Sequence, residues 1–115
     1  MNILLVVNDS PWGSTLSITA LRLARAMLSA GHSLDGIFFR GEGVYNAVGA
    51  TTGNPASPDL KQAWSTLADD SGAALMLCQS SVERRLESRP DEPFRGAGLA
   101  ELIDRMATAD RVVTL

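Results

Sequence analysis

The chain has 115 residues, 45% of them apolar and 20% charged, with a formal net charge of -3. That profile fits one ordinary globular domain spanning residues 1–115. It argues against a direct nucleic-acid binder, which needs a concentrated basic face, and no run approaches the ~20 apolar residues of a membrane span.

"NILLVV" (2–7) is a short continuous apolar run, the pattern of a strand covered on both faces. No basic region precedes it, so it does not read as a secretory signal, and a cytoplasmic location is expected. "NDSPWGST" (8–15) is dense in turn formers. It sits where a P-loop would sit but lacks the Gly-Lys pair that contacts phosphates. Leu16, Ala20, Leu23, Ala24, Met27 and Leu28 then recur at helical spacing, with Ser14 or Thr15 as the N-cap. Gly31 fits just past the end of that helix, which makes His32 a helix-end or loop residue rather than a catalytic one.

"SLDGIFFR" (33–40) reads as a second strand, and "GEGVYNAVGA" (41–50) as a loop or short helix. Its glycines make a poor dinucleotide fingerprint, because Asn46 occupies the place of the third glycine. "TTGNPASP" (51–58) is a linker inside the domain. The next helix is expected to start with Ser57 as cap and Pro58 in the first turn. Leu60, Ala63, Trp64 and Leu67 form its buried stripe, and Gly72 ends it.

"AALMLC" (73–78) is a third strand, "QSSVERRLES" (79–88) a short helix, and "RPDEPF" (89–94) breaks it. "RGAGLAEL" (95–102) reads as a helix start that follows a loop rather than a strand. Leu99, Leu102, Ile103 and Met106 mark that last helix, and "RVVTL" (111–115) a final strand. Strands alternating with helices imply an α/β fold: a three-layer α/β/α domain with a mainly parallel sheet of four to five strands, wound as in flavodoxin-like or Rossmann-like folds. Ligands in such sheets sit beyond the carboxyl ends of the strands, where "NDSPWGS", "GEGVYNA" and "CQSS" gather.

Cys78 is the only cysteine, so no internal disulfide forms, and with one histidine the chain cannot build a tetrahedral zinc site. Cys78 ends a strand and precedes a helix, where backbone N–H groups favour a negative sulfur. The competing reading is a small buried hydrophobe. With no partner cysteine or nearby histidine, the thiol is poorly equipped as a hydrolase nucleophile but suited to passing a group by thiol exchange. Arg84 and Arg85 lie on the following helix, either as a solvated face or beside the sulfur, with Ser81 nearer.

Together, "FFRGEGVYNA" (38–47), Cys78 followed by Glu83-Arg84-Arg85, the ending "GAGLAELI…ADRVV", and Trp64 resemble the DsrE/TusD family of sulfur-relay proteins. The resemblance covers nearly the whole chain. It implies a doubly covered parallel sheet, no cofactor, and a sulfur carried on Cys78 as a persulfide. Sulfur would arrive from one partner protein and leave to another, in sulfur oxidation or tRNA thiolation. It also implies assembly as a homo-oligomer or with related subunits, and Trp12, Phe38, Phe39 and Tyr45 near strand ends fit hidden apolar surface. On this reading Arg84 and Arg85 orient the anionic sulfur, while Tyr45 and Asn46 line the pocket. Packing at an interface is the other role for Tyr45, and turn chemistry the other role for Asn46. The connection "LESRPDEPF" after Arg85 is shorter than in relatives such as DsrE and TusD, which bears on partner choice. Two further readings stay open: a structural or regulatory subunit with an inert Cys78, and a small ligand-binding module using "NDSPWGS" and "GEGVYNA".

Overall fold

A computed structural model of the chain describes residues 1–12, 14–49 and 59–115. Strands β1 (Asn2–Val7), β2 (Ser33–Phe39), β3 (Ala74–Cys78), β4 (Phe94–Ala97) and β5 (Arg111–Thr114) form one sheet in the order β4-β3-β2-β1-β5. All four pairings are parallel. The helices are α1 (Leu16–Ser29), α2 (Leu60–Ser71), α3 (Gln79–Arg85) and α4 (Leu99–Thr108), with a 3-10 helix at Gly41–Ala47.

The strand order decides which face each helix covers. From β1 to β4 the chain steps in one direction across the sheet, so right-handed crossovers place α1, α2 and α3 on one face. The step from β4 to β5 runs back across the sheet and puts α4 on the other. Side-chain alternation follows suit. Ile3, Leu5, Val7, Ile37, Phe39, Leu75 and Leu77 share a core with Ala20, Leu21, Ala24, Trp64 and Leu67. Leu4, Val6, Phe38, Met76 and Cys78 face a smaller core closed by Leu102 of α4. In the larger core, Trp64 meets Phe39 edge-on with ring centroids 5.3 Å apart, a favoured aromatic geometry.

Three local expectations shift. "RGAG" does not open the helix: Phe94–Ala97 is an edge strand paired with β3, and α4, from Leu99, follows that strand rather than a loop. The strand has no β-branched residue to reveal it, and neighbour pairing makes it one. Ser57 and Pro58 lie outside the described residues; α2 starts at Leu60, and the Asp59 carboxylate caps it by accepting the Gln62 N–H at 3.1 Å. On α1 the buried stripe is Ser17, Ala20, Leu21 and Ala24, while Leu16 is exposed. The small residues let the helix approach the sheet closely.

Two glycines of "GEG" have backbone reasons to be glycine. Gly41 has a φ of +57°, in the left-handed region. Gly43 packs directly on the Val7 carbonyl, where any Cβ would overlap the oxygen. Its own N–H bonds the Arg40 carbonyl at 2.9 Å. Replacing Gly43 by Ala must push the 3-10 helix off β1. We expect Gly43→Ala to lose about 3 kcal/mol of stability in urea unfolding, the cost of forcing volume into a packed backbone contact. Unchanged unfolding would show that this contact is not tight in solution.

Candidate functional site at Cys78

Cys78 is the last residue of β3 and the N-cap of α3. Strand alternation points it, like Met76, to the α4 face. It pairs in register with Ala97, so a small side chain stands beside it. Cys78 is only 5% exposed, yet it lines two open depressions at the carboxyl edge of the sheet. One, of about 410 Å³, collects Asn8 after β1, Arg40 and Gly41 after β2, Ser80, Ser81, Arg84 and Arg85 of α3, and Leu99 of α4. The other runs between Gln79 and Glu83 of α3 and the Ala97–Leu99 turn.

The surroundings shift the sulfur toward its anionic form. Burial pushes the Cys78 thiol up, but hydrogen bonds from the side chains and backbone N–H groups of Ser80 and Ser81 outweigh it and hold the thiol below its ordinary value. The Ser80 hydroxyl lies 3.4 Å from Sγ. The Ser81 oxygen accepts the Gly41 N–H at 2.9 Å, which leaves its own proton to point at the sulfur. That bond also ties the end of β2 to α3, bringing Arg40 to the same depression.

The arginines are not consumed by ion pairs. Among the described residues, salt bridges engage only Arg95 and Arg105, so Arg40, Arg84 and Arg85 have no carboxylate partner there. Arg105 of α4 reaches Asp35 of β2 at 2.9 Å and Glu101 at 3.1 Å. Hydrogen bonding from Arg95, opposed by burial and joined by Arg105, pulls the Glu101 carboxyl down to about 2. This network fastens α4 to the sheet and with it the Gly98–Leu99 wall beside Cys78.

Of the residues expected at the site, Cys78, Ser81, Arg84 and Arg85 come together. Tyr45 and Asn46 do not line either depression. The Asn46 amide is wholly buried: its nitrogen donates to the Asp9 and Gly43 carbonyls and to Ser17, and its oxygen accepts the Trp64 indole N–H at 3.2 Å. Tyr45 packs on Trp12 with ring centroids 5.3 Å apart. Arg40 and Ser80 were missed by sequence reasoning. Arg40 had a usable signal, since it follows a strand end as "CQSS" does. The switch point of the sheet, between β1 and β5, is bridged by backbone bonds from Asn8 to Leu115 and from Leu115 to Val6. That crevice is where a nucleotide-binding module would seat its ligand.

Alkylation reads both properties of the site. We expect the pH midpoint of Cys78 alkylation to lie below that of an ordinary thiol, because the folded state favours thiolate. Ser80→Ala should move it upward. Anionic iodoacetate should gain on neutral iodoacetamide relative to free cysteine, and salt should erase the gain. An ordinary midpoint with no preference for the anion would contradict the geometry.

The DsrE/DsrF-like family model matches residues 1–115. The chain is 37% identical to the sulfurtransferase TusD of Cronobacter sakazakii, with 98% of each chain covered. It is 36% identical to a sulfurtransferase TusD homolog of Vibrio vulnificus, covering 95% of this chain and 93% of the relative. The crystal structure of the ychN protein from E. coli superposes with a TM-score of 0.85 over 100% of this chain and 99% of the other, at 21% identity, a likeness of fold. Matched along its whole length by sequence and by fold, the chain belongs to the DsrE/DsrF-like family.

Proposed function

We propose that the protein is a sulfur carrier in a relay between proteins, holding the sulfur as a persulfide on Cys78. The observation that carries this reading is the placement of the only thiol at an open strand end, with serine donors that favour its anion. The similarity to proteins named sulfurtransferase TusD supports the same chemistry.

The transfer balances without a cofactor. The Cys78 thiolate attacks the outer sulfur of a donor persulfide, and the donor's S–S bond breaks with its electron pair leaving on the donor thiolate. Cys78 then holds the sulfur as an anionic persulfide. An acceptor thiolate attacks that terminal sulfur, and Cys78 leaves as thiolate. Ser80 and Ser81 donate to the sulfur at both ends of the cycle. Arg84 and Arg85 attract and orient the anion. Asn46 acts as a positioning residue, because its bonds to Asp9, Ser17, Gly43 and Trp64 brace the segment that carries Arg40 and Gly41. A cytoplasmic setting, where thiols stay reduced, fits a carrier with one free cysteine.

The sharper alternative is an inert thiol in a structural subunit, favoured by the 5% exposure of Cys78. Intact-protein mass spectrometry decides between them. After incubation with a cysteine desulfurase and cysteine, the carrier reading expects a gain of one sulfur atom, removed by reductant and missing from Cys78→Ser. No gain from folded protein whose thiol also resists alkylation would leave the structural subunit.

Assembly has support on the α4 face. Leu99, Ile103 and Met106 lie at i, i+4 and i+7 and are 51%, 64% and 44% exposed, where a helix with one buried leucine would ordinarily turn polar residues outward. Phe38 and Phe39, expected to contribute to such a surface, are fully buried in the core. We expect the protein to elute from size exclusion as an oligomer and Ile103→Lys to shift it toward monomer with its melting temperature for the fold retained. A wild-type monomer at high concentration would remove this support.

A further inference from the structure

Three of the chain's ten basic residues, Arg40, Arg84 and Arg85, line one depression in a protein of net charge -3. Arg40 comes from the end of β2 and the other two from α3, so the cluster is built by the fold and not by one run of sequence. None has a carboxylate partner among the described residues. Serine donors favour the thiolate of Cys78, and no arginine is among the groups that shift it. Like charges gathered on one wall repel, and an anionic ligand of more than one charge relieves that repulsion.

We propose that this depression binds the dianion thiosulfate and that Cys78 takes the outer sulfur from it directly. The proposal rests on the reading of Cys78 as a sulfur carrier and adds a small-molecule donor to it. The charge count favours this ligand over a persulfide alone, since attacking thiolate and thiosulfate together bring three negative charges to three guanidinium groups. The forked N–H groups of arginine suit a tetrahedral oxyanion. Among the described residues that line the depression there is no aromatic ring to stack a nucleobase, and Leu99 is the only apolar side chain besides the cysteine. Glu83 lines the neighbouring depression on the far side of Cys78, where its charge would repel an oxyanion, so the arginine side is the binding side.

The step is balanced. The Cys78 thiolate attacks the outer sulfur of thiosulfate, a new S–S bond forms, and the S–S bond of thiosulfate breaks with its electron pair leaving on sulfite. The products are the Cys78 persulfide anion and sulfite dianion, with no proton, oxidant or reductant required. Sulfite departs from the same arginines that held the sulfonate oxygens.

The test is to incubate the purified full-length protein with thiosulfate alone, following the mass of the intact chain and free sulfite. A parallel sample receives the desulfurase and cysteine. We expect one sulfur on Cys78 with an equal amount of sulfite, none on Cys78→Ser, and slower loading as ionic strength rises. Arg40→Gln should load roughly tenfold to a hundredfold more slowly, the loss of one charge-assisted hydrogen bond. Circular dichroism confirms that it is folded, and Arg84→Gln serves as a second variant if it is not. Loading from the desulfurase but not from thiosulfate overturns this inference and leaves the carrier reading standing. Failure with both donors removes both. Thiosulfate loading that ignores the arginine variants overturns the binding site. Arginine variants that slow only the protein donor would assign the cluster to partner docking instead.

Discussion

The geometry at the sulfur depends on a buried amide that never touches it. Asn46 sits in the 3-10 helix and bonds to the loop after β1, to α1, to its own backbone turn and to the indole of α2. A buried amide left without partners costs about 1–3 kcal/mol per group, so the four segments are held in one arrangement or the site is lost. Through Gly43 on the Val7 carbonyl and Gly41 on the Ser81 hydroxyl, that arrangement reaches the wall of the Cys78 depression. The glycines of "GEG" thus serve close backbone approach, the role that glycines also play in nucleotide folds, but the space they make is filled by protein.

Charge is distributed with similar economy. The chain is acidic as a whole and basic at one edge of the sheet. Arg95 and Arg105 are spent on Glu101 and Asp35, where they fix α4. The remaining cluster faces solvent beside the thiol. Steering of an anion toward that edge therefore opposes the repulsion of the molecule at large, and it acts over little more than the ~10 Å that screening allows at moderate salt.

Much of this was legible in the sequence. Apolar runs of Ile, Leu and Val gave β1, β2 and β3, and the strand-helix alternation gave a parallel sheet, because local period and burial agree in those segments. β4 was hidden because Phe94-Arg95-Gly96-Ala97 has one strand former beside a glycine and an alanine and no β-branched residue, and its pairing with Leu75–Cys78 makes it a strand. Cys78, Arg84, Arg85 and Ser81 were found because they sit within eight residues of one strand end. Arg40 comes from 38 positions earlier; its place after a strand end was readable, but the register of β2 and β3 that sets it beside Cys78 is not encoded by a local pattern. For Asn46 the sequence offered pocket lining or turn chemistry; its amide does bond the Gly43 carbonyl within its own turn, while its bonds to Asp9, Ser17 and Trp64 join distant segments and show only in the packed structure. The α4 stripe carries the reverse lesson: helical spacing of Leu99, Leu102, Ile103 and Met106 suggests a core face, yet only Leu102 is inside.

The pairing of Cys78 with Ala97, followed by Gly98, puts two small residues on one flank of the sulfur, at the edge of an open depression. On the carrier reading, the cysteine can lengthen by one atom without displacing a neighbour. Empty and loaded protein would then share one backbone, and neither delivery nor discharge would wait for the fold to rearrange. The pace of such a relay would be governed by collision and docking. Its direction would come from the relative stability of the persulfide on successive carriers, leaving this chain a stationary platform between them.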